Sequence, residues 1–303
     1  MKARILAAIL AASVVSVAHE PAAAQSTQQA QLQAEIQAAW KAGVEAATAG
    51  PAEIKLLDQA SLKIAADELF IPAAQANRIM VALGNSSSPE RRGLIISKDE
   101  RAPWMVDVSW TKEGYVRDGD AKEWQADALL ESLKEGTEQS NAERIARGFP
   151  ALDVIGWVEP PNYDATAHRL VWSLSSRDRS SKANQPQGIN YNTYALGRDG
   201  YFSLDLITGS DTISKDKQVA RDLLGSLNFV QGKRYQDFNG STDKVAAYGL
   251  AALVGAVAVK KLGLLAVIGV FLLKVWKLGL IALAAIGAAV KRFLGRREAD
   301  AES

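Results

Sequence analysis

Hydrophobic residues are concentrated at the two ends of the chain, and they alternate with polar residues in the part between. At the N-terminus, Lys2 and Arg4 precede an apolar run over Ile5–Ala18, and Ala22-Ala23-Ala24 follows it. A basic start, a short apolar run and small residues at the exit are typical of a secretory signal peptide, and the run is too short to span a bilayer of about 30 Å. The pattern predicts that residues 1–24 are a signal peptide and that the mature chain lies outside the cytoplasm.

The C-terminal end is almost continuously apolar from Val245 to Val290. As one helix this stretch would be about 69 Å long, more than twice the thickness of the hydrocarbon layer. Lysine pairs interrupt the stretch at Lys260-Lys261 and at Lys274 and Lys277. The pattern predicts a transmembrane helical segment over residues 245–292 and a charged tail over residues 293–303.

The number of membrane crossings stays open. One crossing places the basic tail in the cytoplasm, as the positive-inside rule favours, whereas a hairpin of two crossings returns it to the outside. In a third interpretation part of the segment lies in the interface, because its lysines fall on one side of a helix. Ala247, Ala251 and Gly255 recur at every fourth position and would let another helix approach closely, which allows a homo-oligomer, although an alanine-rich sequence also gives this spacing by chance.

Residues 25–50 have the pattern of an amphipathic N-terminal helix. Leu32, Ile36, Trp40 and Val44 recur at helical spacing, and Gly50-Pro51 ends the pattern. Such an apolar stripe docks either on its own domain or on a partner helix, and docking on its own domain is the commoner case.

Residues 51–240 predict a periplasmic α+β domain. The predicted helices are Pro72–Leu83, a helix through Trp124–Leu133 that begins with a capping box of Asp120 and Glu123, a stretch over Asn141–Arg147, and Ser214–Leu224. The predicted strands are Glu53–Leu57, Ser61–Ala65, Val106–Trp110, which turns back into Tyr115-Val116, Val154–Val158, Leu170–Leu174, Ile189–Leu196, Tyr201–Ile207 and Leu227–Val230. Because tight turns join consecutive strands, we expect a mainly antiparallel sheet with packed helices.

Composition and charge exclude several kinds of function. The chain has no Cys, which excludes disulfides, thiolate nucleophiles and Cys-ligated metals. It has 2 His, and no cofactor is predicted. Residues 25–259 carry 25 Lys and Arg against 30 Asp and Glu, a net charge of −5. An acidic domain argues against nucleic acid as a partner, because phosphate binding needs a basic surface.

One cluster could carry acid–base chemistry. His168 is the one histidine of the predicted mature chain, and Glu159 and Asp164 lie near it on a rigid Pro-Pro loop, where the three could act as general acids and bases. The alternative, which we favour, is structural: Asp164 closes a turn and His168 lies at the start of an exposed strand. No phosphate loop, dinucleotide fingerprint or nucleophile elbow is present in the sequence.

Two further chemistries are weaker. Asp118 and Asp120, with Glu123 and Asp127 nearby, offer carboxylates for Ca²⁺, but their spacing is not that of an EF-hand, so no metal is predicted. A ligand cleft could instead be lined by aromatic residues, although strand aromatics are more often core; these are Trp104, Trp110, Trp157, Trp172, Tyr191 and Tyr194.

Several strings together resemble a known bacterial family. They are Gly114–Ala121, Val154–Asp164, Ile189–Asn192, Leu196–Gly200, Gly232–Phe238 and Asp243–Gly249. In this order they resemble the uncharacterised membrane-anchored proteins known as domain of unknown function 2167. The resemblance implies an exported domain tethered by a hydrophobic C-terminus, and it implies no activity or catalytic residues. Gly119 stands where the family pattern leads us to expect an acidic residue, which further weakens a cation site at Asp118 and Asp120.

These observations favour a non-enzymatic protein of the bacterial envelope. Its domain would face the periplasm and bind a protein or another envelope component, while the C-terminal segment holds it in the lipid bilayer of the inner membrane. The alternatives are a membrane-tethered hydrolase that uses Glu159, Asp164 and His168, and a component of a membrane complex or transporter.

Overall fold

The computed structural model describes residues 22–255 except residues 86, 100, 123, 147–149 and 182–185, and it leaves the side chains of residues 22–30 and 143 undescribed. The helices are α1 (Ala22–Glu45), α2 (Ala73–Ala82), α3 (Ala126–Ala146) and α4 (Ile213–Ser226), with short 3₁₀ helices at Gly119–Lys122, Tyr235–Asp237 and Leu250–Val254. The strands are β1 (Thr48–Ala49), β2 (Ala52–Leu56), β3 (Ala60–Ile64), β4 (Glu68–Pro72), β5 (Arg91–Ser97), β6 (Met105–Thr111), β7 (Tyr115–Arg117), β8 (Leu152–Asp164), β9 (Arg169–Asp178), β10 (Gly188–Leu196), β11 (Tyr201–Gly209), β12 (Leu227–Phe229) and β13 (Val245–Gly249).

The centre of the fold is an eight-stranded antiparallel sheet. Its strand order is β1-β4-β5-β6-β11-β10-β9-β8. The hairpin of β10 and β11 lies near the middle, with Leu196 opposite Tyr201 beside the turn and Gly188 opposite Gly209 at the far end. The prediction of a mainly antiparallel sheet with packed helices is confirmed.

One face of the large sheet carries the main core. A three-stranded sheet, in the order β12-β3-β2, and helix α4 cover this face. Strand β6 shows the expected alternation, because Val106, Val108 and Trp110 are buried against this cover while the residues between them are half-buried. Trp110 packs on Phe202 with ring centroids 4.6 Å apart.

Helices α1 and α2 cover one half of the opposite face. Ile36 and Trp40 of α1 are buried together with Ile79 of α2 and Leu94 of β5. The N-terminal helix therefore docks on its own domain. Leu32, which shares the predicted stripe, is 51% exposed, so only the C-terminal part of the stripe is buried.

The other half of this face is covered partly by residues that the sequence assigned to the membrane segment. Strand β13 pairs in parallel with β7, and the 3₁₀ helix Leu250–Val254 follows it with Leu250, Leu253 and Val254 buried. The indole nitrogen of Trp172 donates to the carbonyl of Leu253 at 3.2 Å. Residues 245–255 thus belong to the folded domain, which corrects the predicted start of the membrane segment and the predicted end of the domain at residue 240.

The predicted stripe of small residues is also corrected. Ala247 lies in β13, whereas Ala251 lies in the 3₁₀ helix and Gly255 follows that helix with a φ of 106°. The three residues therefore do not share one helix face. Residues 256–303, with the rest of the predicted membrane segment and the tail, lie outside the described residues, as does the predicted signal peptide up to residue 21. Among the helices that are described, none has both the length and the hydropathy to cross a membrane.

Three further elements differ from the prediction. β7 pairs with β13 and not with β6, and α3 is one helix where two helical stretches were predicted. β8 continues as a strand through Pro160 and Pro161, which we expected to lie in a loop; these prolines are tolerated because β8 is an edge strand with irregular pairing.

Candidate functional site

The three candidate acid–base residues belong to three different hydrogen-bond networks. Glu159 receives two hydrogen bonds from Arg221, at 2.7 and 3.0 Å, and one from the hydroxyl of Tyr191 at 3.0 Å. Burial raises the pKa of Tyr191 to about 12, so its hydroxyl stays protonated and donates a hydrogen bond to Glu159. This network joins α4 to β8 and β10.

Asp164 closes the turn between β8 and β9. Its Oδ1 accepts hydrogen bonds from the backbone N–H groups of Thr166, at 2.8 Å, and Ala167, at 3.0 Å. The N–H groups of Ala167 and Thr166 hold the pKa of the Asp164 carboxyl below its usual range. The carboxylate is therefore engaged with the turn itself.

His168 ends this turn with a φ of 52°, and it contacts Tyr163 and Asp118. The hydroxyl of Tyr163 donates to Oδ2 of Asp118 at 2.7 Å, and the same hydroxyl oxygen lies 3.2 Å from Nδ1 of His168. The single hydroxyl hydrogen of Tyr163 is already donated to Asp118. In the bond between Tyr163 and His168 the hydroxyl oxygen is therefore the acceptor, and Nδ1 of His168 carries the hydrogen. In the neutral imidazole this leaves Nε2 as the acceptor nitrogen. Burial and the bond to Asp118 raise the pKa of Tyr163.

Four aromatic rings, the last of them that of His168, stack one after another in the order Phe238, Tyr115, Tyr235, His168; we call them the ring stack. The ring centroids are 3.9 Å apart between Phe238 and Tyr115, 4.3 Å between Tyr115 and Tyr235, and 4.1 Å between Tyr235 and His168. Tyr235 is buried and its hydroxyl donates to the carbonyl of Val116 at 2.8 Å. The other three rings are half-buried, so the stack has one fixed inner ring and a partly open surface.

Ion pairs fix the loop that carries two of these rings. Arg198, in the turn between β10 and β11, donates to both oxygens of Asp243, at 2.6 and 2.7 Å. Lys233 donates to Asp199 of the same turn at 2.7 Å. Tyr235 and Phe238 lie between Lys233 and Asp243 in the chain, so both ends of their loop are tied to one hairpin turn.

The pair of Arg198 and Asp243 predicts a pH-dependent stability. The hydrogen bonds from Arg198 hold the pKa of Asp243 well below its usual range. A lowered pKa contributes stability at neutral pH, and this contribution is lost as the pH falls from about 4 downward. We therefore expect Arg198→Gln to unfold at lower urea concentration than the wild type at pH 7, with a difference that shrinks below about pH 4.

A second variant controls for an effect of Arg198 that does not involve its partner. Asp243→Asn should also unfold at lower urea concentration than the wild type at pH 7, and by a margin that shrinks below about pH 4, because either change breaks the same ion pair. A difference for Arg198→Gln that stays constant from neutral to acid pH would contradict the assignment.

The acidic residues considered for cation binding have structural partners. The two oxygens of Asp120 accept from the N–H groups of Leu250 and Ala251, both at 3.0 Å, so Asp120 caps the 3₁₀ helix Leu250–Val254. This corrects its predicted role as the cap of α3, which begins at Ala126; Glu123, the other half of the predicted capping box, lies outside the described residues. In the part of the chain that is described, no group of three or more His, Asp and Glu side chains is placed to hold a metal ion.

The sequence analysis did not predict that the residues of the ring stack lie together. It assigned the possible cleft to other aromatics, of which Trp104, Trp110 and Tyr191 lie in the main core. A signal was present, because Tyr115, Tyr235 and Phe238 each belong to one of the strings that carry the family resemblance. The strings Gly114–Ala121 and Gly232–Phe238 meet at the stack, and Val154–Asp164 supplies Tyr163 beside it.

Chemically, this end of the domain presents aromatic surface together with hydrogen-bond acceptors. Nε2 of His168 and the carboxylate of Asp118 can accept hydrogen bonds from a bound molecule, and the half-buried rings offer flat apolar contact. Such a combination suits recognition of another molecule and does not require a covalent step.

Comparison with known proteins gives a family and no activity. The solution structure of cyanobacterial PsbP (CyanoP) from Synechocystis sp. PCC 6803 is similar to this chain, with a TM-score of 0.37 and 10% sequence identity, over 59% of this chain and 92% of that chain. No significant match to a curated protein is found. Residues 48–284, more than half of the chain, match the family described as "Protein of unknown function (DUF2167)". This chain therefore belongs to the DUF2167 family.

Proposed function

We propose that this protein is an exported, membrane-anchored component of the bacterial cell envelope. Its α+β domain would face the periplasm and bind a protein or another envelope component, and its apolar C-terminal residues would hold it at the inner membrane. The signal-peptide pattern of residues 1–24 and the apolar composition of residues 256–290 support this proposal.

The observation that carries the proposal is the way in which the folded domain ends. Leu253 and Val254 are buried in the domain, and the apolar stretch continues from residue 256 without a polar linker. Trp172 and Asp120 hold the last 3₁₀ helix through hydrogen bonds to its backbone. An anchor in this position would keep the domain close to the bilayer, because the chain has no spacer there.

The proposed binding surface is the ring stack with Asp118. Aromatic side chains that are partly exposed are favoured in recognition surfaces, because they bury a large area at a small cost in conformational entropy. Glu159 and Asp164 support a binding role over a hydrolytic one, since both carboxylates are already engaged in contacts within the domain.

Cell fractionation tests the anchor. We expect the full chain to stay in the membrane pellet after an alkaline carbonate wash, and a variant that ends at Gly255 to be released with the periplasmic proteins. Release of the full chain by the wash would overturn the anchoring. A cytoplasmic location of its domain in a protease-accessibility assay would overturn the export.

Site-specific crosslinking tests the binding surface separately. A photo-crosslinking amino acid at Phe238 should give a discrete adduct in intact cells, whereas the same amino acid at Val81, which is 50% exposed on α2, should not. The adduct at position 238 should weaken when Asp118 is changed to Ala. Equal crosslinking at the two positions would count against a specific surface at the ring stack.

A further inference from the structure

The loop that follows Phe238 contains a pair of residues with a reactivity of its own. Asn239 is the one asparagine of the chain that a glycine follows. Asn239 and Gly240 are both exposed, and they lie between Phe238 of the ring stack and Asp243, which is paired with Arg198. The amide of an asparagine can react with the backbone nitrogen of the next residue, and glycine hinders this reaction least because it has no side chain. The pair therefore offers a site at which the chain can change covalently.

The backbone nitrogen that would attack is free. The N–H group of Gly240 makes no hydrogen bond to any of the described residues. The N–H groups on either side of it are engaged. That of Asn239 donates to Oδ2 of Asp243 at 2.7 Å, and that of Ser241 donates to Oδ1 of Asn239 at 3.1 Å. Attack by the nitrogen of Gly240 therefore breaks no hydrogen bond of the turn.

The amide that would be attacked is held and polarised by Ser241. Oδ1 of Asn239 accepts from the backbone N–H of Ser241 at 3.1 Å and from its hydroxyl at 2.7 Å. Because these donors belong to the second residue along the chain, the side chain of Asn239 folds along the peptide unit of Gly240. The same two donors are placed to stabilise the negative charge that develops on Oδ1 when a nucleophile adds to the amide carbon. Nδ2 of Asn239 has no partner in the described part of the chain, so the amine is free to leave.

We infer that Asn239 is a site of spontaneous deamidation in the folded protein. The nitrogen of Gly240 forms a bond to Cγ of Asn239, the bond from Cγ to Nδ2 breaks, and ammonia leaves with the proton of the attacking N–H group. The product is a succinimide ring, and water opens it at either carbonyl to give aspartate or isoaspartate at position 239. Water is the co-reactant, and nothing is oxidised or reduced. The inference depends neither on the membrane anchor nor on binding at the ring stack.

The two products differ in what they do to the loop. Both replace a neutral amide by a carboxylate and so add one negative charge. In isoaspartate the chain also runs through the former side chain and gains a methylene group. The carbonyl of residue 239, which accepts from the N–H groups of Thr242 and Asp243 at 3.1 and 2.9 Å, then lies outside the main chain. The isoaspartate form therefore cannot keep the present turn after Phe238, whereas the aspartate form can.

The chain offers two matched controls. A Cβ atom at position 240 would meet only the ring of Phe238, at 3.6 and 4.0 Å, which is ordinary contact, and the φ of Gly240 lies outside the left-handed region. Gly240→Ala is therefore expected to fold and to place a side chain beside the attacking nitrogen. Asn228 is an internal control, because it is also exposed but is followed by Phe229.

The test uses the full chain purified in detergent and kept at neutral pH in water labelled with heavy oxygen. The label enters a carboxylate formed during the incubation and not one formed earlier. Trypsin then releases residues 235–244, in which Asn239 is the only asparagine, and residues 222–233, which contain Asn228. Mass spectrometry measures the labelled fraction of each peptide. A sample unfolded in guanidinium is treated in the same way.

We expect the folded wild type to gain label at residue 239, and Asn228 to gain about tenfold less or lower. Gly240→Ala should react about tenfold more slowly or less, since alanine restricts the backbone angles open to the attacking residue. Ser241→Ala should react about two- to tenfold more slowly, the factor that one hydrogen bond supplies. Equal rates in Ser241→Ala and the wild type would contradict the role given to the hydroxyl.

The inference is wrong if the folded wild type stays unlabelled at residue 239 when half of the unfolded chain is labelled, because the fold then protects the pair. Equal conversion at Asn228, or in Gly240→Ala, overturns it as well. The isoaspartate form, separated by chromatography, should unfold at lower urea concentration than Asn239→Asp, which has the same charge and an unaltered backbone. Equal unfolding of these two would contradict the change expected in the loop.

Discussion

A variant that ends at Lys244 is expected not to fold, whereas a variant that ends at Gly255 is expected to fold. The shorter variant lacks Leu250, Leu253 and Val254, which are 0%, 5% and 0% exposed in the domain. Burying three such side chains contributes about 5–9 kcal/mol, which is comparable to the whole stability of a typical domain. It also lacks β13, the only strand that pairs with β7 in the described residues.

The measurement is urea unfolding of the two variants, followed by tryptophan fluorescence. The variant ending at Gly255 should show one cooperative transition, and the variant ending at Lys244 should show none. A cooperative transition with the same midpoint in both variants would mean that residues 245–255 are dispensable and that our assignment of them to the core is wrong.

The second large effect is expected from Arg91→Met. The side chains of Arg91 and Asp107 are 7% and 15% exposed, and the change leaves the carboxylate of Asp107 buried without its partner. Removing one member of a buried ion pair costs about 3–5 kcal/mol, because the other charge stays desolvated. We expect the free energy of unfolding at pH 7 to fall by about this amount.

Two further variants show whether the unpaired charge is the cause. Arg91→Met/Asp107→Asn should recover part of the loss, because no unpaired charge remains. Arg92→Met should have a small effect, since Arg92 donates to backbone carbonyls of the loop before β5 and not to a carboxylate. If the double variant is as unstable as Arg91→Met, the loss comes from packing and not from charge.

The elements that the sequence predicted well are those with local signals. The hairpin of β10 and β11 has alternating strands around Gly197-Arg198-Asp199-Gly200, and α2 and α4 have apolar residues at helical spacing. Strands β4 and β5 were missed. Glu68–Pro72 is short and ends in proline, and Arg91–Ser97 begins with two arginines, so neither has the alternation of a half-buried strand.

The start of the apolar C-terminal stretch could not be located from hydropathy. Leu250–Val254 is apolar because it fills the space over Trp172 in the domain, and a membrane segment would be apolar for a different reason. Both environments exclude water, so both select the same side chains. The boundary becomes visible only when the pairing of β13 with β7 is known, and that pairing joins segments about 130 residues apart.

The candidate site was out of reach for the same reason. Tyr163 and Asp118 are 45 residues apart, and the ring stack draws on three separate parts of the chain. Spacing in the sequence suggested that Asp164 and Glu159 would act with His168, since they are its nearest carboxylates along the chain. The direction of the turn instead brings Asp118 to His168.

The position of β13 near the C-terminal end of the described residues has a consequence for folding during synthesis. Asp120 bonds to residues that follow it by 130 positions, and Trp172 bonds to one that follows it by 81. During synthesis the surface of the large sheet around Trp172 of β9 therefore stays without part of its cover until residues 245–255 have emerged. Contacts of such long separation form slowly, and exposed apolar surface aggregates in the meantime. We therefore expect this apolar surface to stay exposed on a nascent chain from the emergence of β9 until residues 245–255 follow.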